Sequence, residues 1–481
     1  MCISRYVQGI SLLLLATVLV IKPQPGLTEA IARVSPESEG LSTERLGRIA
    51  KHMNKAVESG EMVGGLGLLA RNGSIVYLQG YGDADRQPLR PISEDTLFRI
   101  YSMSKPITSV AVLMLYEEGH FALNDPIARY LPELAGLRVA VSTGDGAAPG
   151  PDEHGVSDGT DIRERHTTTS AAMGKTRAAS RQPTIHDLLG HTSGLTYGLL
   201  GDSEVDRLYR SAGIGLMSTL SLEELVRRLG RLPLQYDPGT RWHYSVATDV
   251  LGRLVEVVAG QAFDEFLQQR LFAPLKMVDT GFTLNETRRQ RLAQLYSPPG
   301  VDLNDPASIL KGMQSPELVE ADPEFDTNYR PGAALKSGGG GLLSTIGDYL
   351  RFCQMLLNGG ELDGVRILSP KTVQLMTRNH LPATGEVMAR SGTGFGLGVA
   401  IAIDQGAIGE LGSNGEYNWG GAAGTKFWID PREKLIGIFM TQSLPHASQI
   451  GVDFKYLSYQ AIIDSYEDIT SNVKEHRWWR R

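Results

Sequence analysis

Ser102-Met103-Ser104-Lys105 is the stretch that decides the fold, because it places a hydroxyl and an amine three positions apart at the start of a strongly apolar segment. Residues three apart lie on one face of a helix, so the Ser102 hydroxyl and the Lys105 amine can meet. A lysine in an apolar, partly desolvated site can take the proton of a serine hydroxyl and make it a nucleophile. The two residues are a candidate nucleophile and base, and they predict acyl-enzyme chemistry.

The residues around this string predict a buried helix. Pro106 is acceptable in a first helical turn, and Gly119 is typical of a helix end. Apolar residues follow the string at helical spacing: Ile107, Val110, Ala111, Met114 and Leu115. The Ser102 hydroxyl then lies at the positive end of the helix, where a developing oxyanion is stabilised. Two other strings of the same spacing, Ser308–Lys311 and Ser471–Lys474, lack this context and are interpreted as accidental.

Two further strings occur downstream in a fixed order. Tyr244-Ser245-Val246 lies between a turn at Asp237–Gly239 and an apolar helical segment. Trp419-Gly420-Gly421-Ala422 precedes Gly424–Pro431, which predicts a strand with small residues at its mouth. On its own, a tyrosine in such a place is ordinarily a packing residue. The order of the three strings is what makes Tyr244 a candidate catalytic residue.

The ordered set resembles the serine β-lactamase and penicillin-binding-protein superfamily. Within it, the chain is most similar to the class C β-lactamase-like esterases, the family VIII carboxylesterases, whose third motif is W-x-G in place of K-T-G. The strings Ile185–Leu195 and Gly338–Thr345 support the resemblance. It implies an α/β (α+β) fold, a β-lactamase-like α/β sandwich with a central antiparallel sheet and an inserted, mainly helical subdomain. The site is expected in the cleft between the two parts.

The resemblance also implies a role for each matching residue. Ser102 attacks the substrate carbonyl, while Lys105 and Tyr244 share the proton transfers, one activating the serine and one protonating the leaving group. Which residue does which stays open. The backbone N–H groups of Ser102 and Ala422 form the oxyanion hole. The residues implied to bind the substrate are Trp419, Gly420 and Gly421.

Two departures from the penicillin-recognising relatives concern the substrate. Val246 occupies the position of their Asn, so a side-chain partner for a substrate amide is missing. Trp419 occupies the position of the lysine in K-T-G, which removes a cation that pairs with a substrate carboxylate. Both changes favour a neutral, apolar ester over a β-lactam or a D-Ala-D-Ala peptide. Lys426 lies close enough in sequence to bring a positive charge back to this place.

Composition and motifs exclude several other classes of function. Hydrophobic residues make up 41% and charged residues 21%, and the net charge of −7 leaves no basic surface for nucleic acid. His186 and His191 are five apart, which is not the spacing of a helical metal pair, and no H-E-x-x-H string occurs. The glycine run at 338–341 lacks a phosphate-loop ending, and no G-x-S-x-G elbow is present. We expect no metal, no cofactor and no nucleic-acid partner.

The N-terminal segment predicts export. Arg5 precedes an apolar run from Ile10 to Ile21, which is short for a membrane span and typical of a signal peptide. We interpret residues 1–32 as the signal, cut after Ala32, with an uncleaved anchor as the alternative. The mature chain is expected in the periplasm or outside the cell, with no stable membrane span. Cys353 is then its one cysteine and is expected to be a buried apolar residue.

The remaining sequence predicts how residues 33–481, the hydrolase domain, are organised. Segments 33–100 and 335–470 are assigned to the α/β part, and 101–334 to the helical part. Three predicted strand regions support this division: a hairpin from Val63 to Leu78, a strand at Leu397–Ile401 and a strand at Leu435–Met440. Segment 139–181 is rich in Gly, Asp, Ser, Thr and Pro and is interpreted as a mobile surface insertion, more simply a loop than a lid.

The function favoured by these features is hydrolysis of a small carboxylic ester through an acyl-enzyme on Ser102. Three alternatives stay open. The first is a D-amino-acid peptidase, a carboxypeptidase or a weak β-lactamase, which acts on an amide. The second is an acyltransferase, because an alcohol can capture the same acyl-enzyme in place of water. The third is a catalytically silent binding or scaffold protein. The oligomeric state is left open.

Overall fold

The computed structural model describes residues 31–141, 175–199, 201–215, 218–315, 317–381, 387–388, 390–446 and 448–466. Its strands are β1 (Gly64–Arg71), β2 (Ser74–Arg86), β3 (Leu89–Pro91), β4 (Phe98–Arg99), β5 (Arg138–Ala140), β6 (Thr176–Ala178), β7 (Tyr296–Ser297), β8 (Val319–Glu320), β9 (Leu343–Ser344), β10 (Glu361–Leu362), β11 (Val365–Arg366), β12 (Thr393–Phe395), β13 (Ala400–Ala402), β14 (Tyr417–Gly420), β15 (Lys426–Asp430) and β16 (Leu435–Thr441). Its α-helices are α1 (Thr43–Glu58), α2 (Ser104–Glu117), α3 (Ile185–Leu189), α4 (Glu204–Ser211), α5 (Leu222–Leu229), α6 (Ala247–Ala259), α7 (Phe263–Leu267), α8 (Glu286–Arg289), α9 (Pro306–Gly312), α10 (Ile346–Leu357), α11 (Pro370–Met376), α12 (Gln405–Ile408) and α13 (Ile450–Tyr459).

One antiparallel sheet of eight strands organises the molecule, in the order β12-β13-β14-β15-β16-β1-β2-β3. Strands from the two ends of the chain meet where β1 pairs with β16, with Leu66 opposite Met440. The predicted hairpin near the N-terminus is β1 and β2, joined through Asn72 and Gly73. The expected α/β fold with a central antiparallel sheet is therefore confirmed.

Helices cover both faces of this sheet. On one face, α1 and α13 pack against the sheet through a cluster that includes Ile49, Phe454 and Trp428. On the other face lie α2 and α10, with the Tyr349 ring 5.2 Å from the ring of Phe427. Because both faces are covered, every residue of β1 and of β16 is buried, and neither strand shows the alternation of a half-exposed strand.

The mainly helical part places the second candidate motif opposite the first. Helix α6 packs against α2, α3 and α5, so the residues that lead into α6 face the start of α2. Helix α2 is buried from Ser104 to Leu115 on all sides, as its sequence predicts. Tyr244 precedes α6, and Ser102 precedes α2. The packing of two buried helices thus brings together two motifs that are far apart in the chain.

Two local predictions are wrong in part. The strand expected at Leu397–Ile401 begins only at Ala400, because the chain turns before it and the Gly396 amide donates to the Val399 carbonyl at 2.8 Å. The segment 139–181, predicted to be a mobile surface insertion, is paired at both ends, where β5 and β6 form an antiparallel ladder. Val139 of β5 is buried in the core, which fixes β5 in place. Residues 142–174 of the segment lie outside the described residues.

The predicted signal segment also falls outside the described residues up to position 30. In the part of the chain that is described, the helices are all too short or too polar to be candidate membrane spans. Cys353 lies in α10, is fully buried, and has a thiol pKa well above its usual range because of that burial. The predicted packing role of this cysteine is confirmed.

We predict that Gly437→Ala destabilises the fold. Gly437 lies in β16 under the buried Trp428 indole, and a Cβ at this position would come within 2.0 Å of the Trp428 ring. Overpacking of this kind costs about 2 kcal/mol. Urea unfolding should show that loss in the free energy of unfolding.

The matched control is Gly47→Ala in α1, where an added Cβ meets nothing within 4 Å. Alanine in an exposed helix position should raise the free energy of unfolding by about 0.5–1 kcal/mol. Equal effects of the two substitutions would contradict the packing assigned to Trp428.

Candidate active site

Ser102 follows a short strand and a residue with an unusual backbone conformation. Strand β4 pairs with β9 and leads to Tyr101, whose φ of 39° is in the left-handed region that non-glycine residues rarely adopt. Ser102 lies in the 3₁₀ turn Tyr101–Met103, and α2 begins at Ser104. The helix therefore begins two residues later than expected, but Ser102 still lies at its N-terminal end.

Buried Arg99 holds this turn in place. Its guanidinium donates to both carboxylate oxygens of Asp326 at 2.7 Å and to the Ala293 carbonyl at 2.7 Å. It also donates to the Gln442 side-chain oxygen at 3.1 Å. These bonds tie β4 to three other segments of the chain. A planar, bidentate donor suits this position because it fixes direction as well as distance.

Lys105 is fully buried and reaches Ser102 from the first turn of α2. Its Nζ lies 3.2 Å from the Ser102 Oγ, 3.1 Å from the Tyr197 hydroxyl oxygen and 2.5 Å from the Gly339 carbonyl oxygen. No carboxylate of the described residues forms an ion pair with it, and its partners are neutral oxygens. The structure thus brings the first two candidate residues into contact.

Tyr244 lies beside this contact but is bonded elsewhere. The Lys105 Nζ lies 4.6 Å from the centre of the Tyr244 ring. The Tyr244 hydroxyl accepts a hydrogen bond from the Trp419 indole Nε1 at 3.3 Å. Within the described residues, it makes no hydrogen bond to Ser102 or to Lys105. The structure therefore joins the second and third motifs directly, and the tyrosine ring covers the lysine.

Aromatic rings enclose this group of residues. The Trp242 ring stacks on Tyr244 with centroids 5.9 Å apart and an angle of 15°, and the Tyr197 ring lies 5.4 Å from it. His191 lies 4.9 Å from the Tyr244 ring, and burial holds its pKa well below the usual range. His191 is therefore neutral and structural at ordinary pH. The surroundings of the lysine are dry and apolar, which weakens the hydration of any charge placed there.

The Trp419–Ala422 string ends β14 and begins the turn that follows it, and it lines the same cleft as Ser102. The Gly421 amide donates to the Thr425 carbonyl at 2.7 Å, and the Thr425 hydroxyl donates to the Ile100 carbonyl at 3.3 Å. A Cβ on Gly421 would come within 2.4 Å of the Ile100 carbonyl oxygen, so only glycine fits. The Ala422 amide donates no hydrogen bond to any described residue. It is thus a free donor beside the turn that carries Ser102.

An apolar cleft of about 570 Å³ contains these residues. Ser102, Tyr244 and the Trp419–Ala422 string line it together. Apolar side chains that line the cleft are Leu199, Leu303, Ile309, Met313, Val387, Met388, Ile408, Leu444 and Val452. Charged side chains also line it, among them Lys426 and Lys455. All seven site residues predicted from the sequence lie in or against one cleft.

Two residues of this site were not predicted. Tyr197 contacts Lys105, and it follows the Ile185–Leu195 string by two positions, which is the signal that could have found it. Asp249 is buried on α6 and accepts from the Gly339 amide at 3.1 Å and from the Ser337 hydroxyl at 2.5 Å. Burial raises the pKa of the Asp249 carboxyl above its usual value. It supports the segment whose carbonyl contacts Lys105.

Comparison with known proteins shows which family the chain belongs to. The beta-lactamase family model matches residues 49–457. The chain belongs to the beta-lactamase family. Protein Rv1367c of Mycobacterium tuberculosis is 35% identical over 380 residues, which is 77% of this chain and 82% of that protein. Esterase EstB of Burkholderia gladioli is 32% identical over 420 residues, which is 86% of this chain and 94% of EstB.

A solved structure shares the fold over most of this chain. EstCE1, described as a hydrolase with promiscuous acyltransferase activity, is 25% identical, with a TM-score of 0.67 over 88% of this chain and 99% of its own. These similarities confirm that the chain is a beta-lactamase-family protein of the esterase branch and a serine hydrolase of the carboxylesterase type. No group of metal-binding side chains occurs among the residues that the structure describes.

We predict that Tyr197→Phe lowers turnover of p-nitrophenyl butyrate about tenfold, because Lys105 loses one of the oxygen partners that orient it. A tenfold loss corresponds to a rise of about 1.4 kcal/mol in the activation free energy. Steady-state kinetics with intact-mass verification would measure the loss.

Tyr116→Phe is the control. Tyr116 lies on the same helix as Lys105, and its hydroxyl makes no hydrogen bond to a described residue. Equal kcat values for the two phenylalanine variants would show that the Tyr197 hydroxyl does not support Lys105.

Proposed function

We propose that this beta-lactamase-family protein is an exported enzyme that hydrolyses carboxylic esters through an acyl-enzyme on Ser102. The observation that carries the proposal is the 3.2 Å contact between the Lys105 Nζ and the Ser102 Oγ at the floor of an apolar cleft. Lys105 takes the serine proton as Oγ bonds to the substrate carbonyl carbon. The carbonyl oxygen becomes an oxyanion facing the amides of Ser102 and Ala422.

Tyr244 is proposed as the acid for the leaving group. Its hydroxyl lies on the cleft side of Lys105, and the Trp419 indole fixes its direction. When the carbon–oxygen bond of the ester breaks, the tyrosine proton goes to the departing alkoxide, and Lys105 returns its proton to the tyrosine. Water then attacks the acyl-serine and loses a proton to the same pair of residues. That proton passes to the Ser102 Oγ as the bond between Oγ and the acyl carbon breaks, and the carboxylic acid is released. Each cycle consumes one ester and one water.

The ester preference is supported by two departures from the penicillin-recognising members of the superfamily and by the lining of the cleft. Val246 and Trp419 stand where those members carry an amide and an ammonium. The apolar side chains of the lining favour an apolar group next to the ester. A second candidate function is acyl transfer to an alcohol, because the cleft has room for an acceptor and EstCE1 is described as having such an activity.

We predict a covalent adduct on Ser102. Brief exposure to a fluorophosphonate should add one label to the wild type and none to Ser102→Ala, measured by intact-mass spectrometry. Hydrolysis of p-nitrophenyl butyrate should disappear in Ser102→Ala and in Lys105→Ala, because the nucleophile or its base is lost. Thermal unfolding of each variant controls for loss of the fold. A stoichiometric adduct on folded Ser102→Ala would remove the mechanism.

The role of Tyr244 predicts dependence on the leaving group. Nitrophenolate departs without a proton, whereas an alkoxide needs one. Tyr244→Phe should therefore lower kcat for ethyl butyrate at least tenfold more than kcat for p-nitrophenyl butyrate. Equal losses for the two esters would assign the tyrosine to serine activation instead.

A substrate panel tests the class of reaction. Wild-type kcat/KM should be highest for p-nitrophenyl butyrate and at least a hundredfold lower for a D-Ala-D-Ala peptide and for a cephalosporin, because the amide partner is missing. Added n-butanol should divert acyl groups to butyl ester only if the acyl-enzyme accepts alcohols. Preferred turnover of the peptide or the cephalosporin would overturn the ester assignment.

A further inference from the structure

The cleft is lined by a lysine that forms no ion pair with any described residue. Lys426 begins β15, lies opposite Gly420 in the ladder with β14, and lines the cleft. Its Nζ makes no hydrogen bond and no ion pair within the described part of the chain. Its alkyl chain runs along the start of α13, with Cδ 3.8 Å from the position of a Cβ on Gly451. An ammonium placed this way is available to a ligand.

The neighbouring charges are, in contrast, already paired. Lys455 lies 2.7 Å from Glu416 and 3.6 Å from Glu410, and Arg390 lies 3.6 Å from the other oxygen of Glu410. Glu416 also accepts from the Tyr459 hydroxyl at 2.8 Å. The charged side chains that line the cleft are three cations and two carboxylates, so the lining carries one excess formal positive charge. His446, which also lines the cleft, has a pKa lowered to about 4 by burial and adds no charge at neutral pH.

The start of α13 adds to this positive field. Gly451 and Val452 of its first turn line the cleft. The side chain of the N-cap residue Gln449 accepts no hydrogen bond from the helix amides. The Ile450 amide donates to the Ser448 hydroxyl at 3.1 Å, so the helix contributes mainly the positive end of its dipole. Asp453 of the same turn is bonded to His52 of α1 at 2.9 Å.

We infer that the natural substrate is an ester that also carries a carboxylate, and that this carboxylate binds between the Lys426 ammonium and the start of α13. The inference rests on the proposed ester hydrolysis and specifies its substrate class. Lys426 lies in the strand directly after the Ala422 turn, so the anion and the scissile carbonyl belong to one small molecule. The apolar lining holds the part of the substrate between them.

The test compares matched anionic and neutral esters. The first pair, mono-p-nitrophenyl adipate and p-nitrophenyl heptanoate, tests for a carboxylate on the acyl side of the ester. The second pair, 3-(butyryloxy)benzoate and phenyl butyrate, tests for a carboxylate on the alcohol side. The wild type should prefer the anionic member of at least one pair in kcat/KM. Lys426→Met should lower that anionic-to-neutral ratio about tenfold, the loss expected for one charge-assisted contact, while Lys426→Arg should retain most of the preference.

Lys51→Met, at an exposed position of α1, is the control for net charge and should keep the wild-type ratio. Thermal unfolding and fluorophosphonate labelling of Ser102 verify that each variant is folded and competent. An unchanged ratio in folded Lys426→Met, for both pairs, would overturn the inference while ester hydrolysis stands. Absence of turnover and of label in the wild type would instead overturn the proposed function.

A second readout needs no substitution. Burial, followed by the nearby charge of Lys455, lowers the pKa of Lys426 to about 8, with Glu410 and Glu416 acting in the opposite direction and Arg390 in the same one. Lys426 is charged below that pH and neutral above it. The anionic-to-neutral ratio of kcat/KM, in which the shared catalytic groups cancel, should therefore fall as the pH rises through about 8. A ratio that stays constant from pH 6 to pH 10 would count against Lys426 as the anion-binding group.

Discussion

The placement of the Lys105 side-chain nitrogen in the buried interior is the constraint on which the rest of the site depends. A buried polar group is costly unless it is hydrogen-bonded. Here the partners are oxygens of Ser102, Tyr197 and Gly339, and no carboxylate among the described residues forms an ion pair with the lysine. Each of these oxygens comes from a different segment, so α2, the loop after α3 and the glycine-rich turn before β9 must all meet at one point. The same requirement that stabilises the lysine assembles the cleft.

The surrounding structure serves to hold those segments. Arg99 fixes the strand before Ser102, and Asp249 fixes the turn that offers the Gly339 carbonyl. The Gly421 turn approaches the Ile100 carbonyl so closely that a side chain would not fit. Aromatic rings then exclude water from the lysine without giving it a counter-charge. The cleft that Ser102 lines is therefore largely apolar, and Lys426 is one of the few charged side chains in its lining.

Much of the fold followed from local patterns. Short runs of apolar residues that must be buried encode several elements. These are the hairpin of β1 and β2, the buried helix α2 and the strands β15 and β16. The start of β13 and the pairing of β5 with β6 were missed, because a turn at Gly396 and a ladder between distant segments leave no periodic signal. Tyr197 and Asp249 were missed for the same reason: their partners are distant in sequence.

The sequence by itself determined the identity and order of the reacting groups: Ser102 and Lys105 on one helical turn, a tyrosine before a second helix, and a glycine turn after a strand. Those facts depend on spacing along the chain, which a helix or a turn converts directly into geometry. Only the tertiary structure decided which oxygens surround Lys105, that Tyr244 is bonded to Trp419, and that Lys426 is left without a partner among the described residues. Apart from the contact with Ser102, these contacts join residues 92 to 234 positions apart, and they form only when the core is packed.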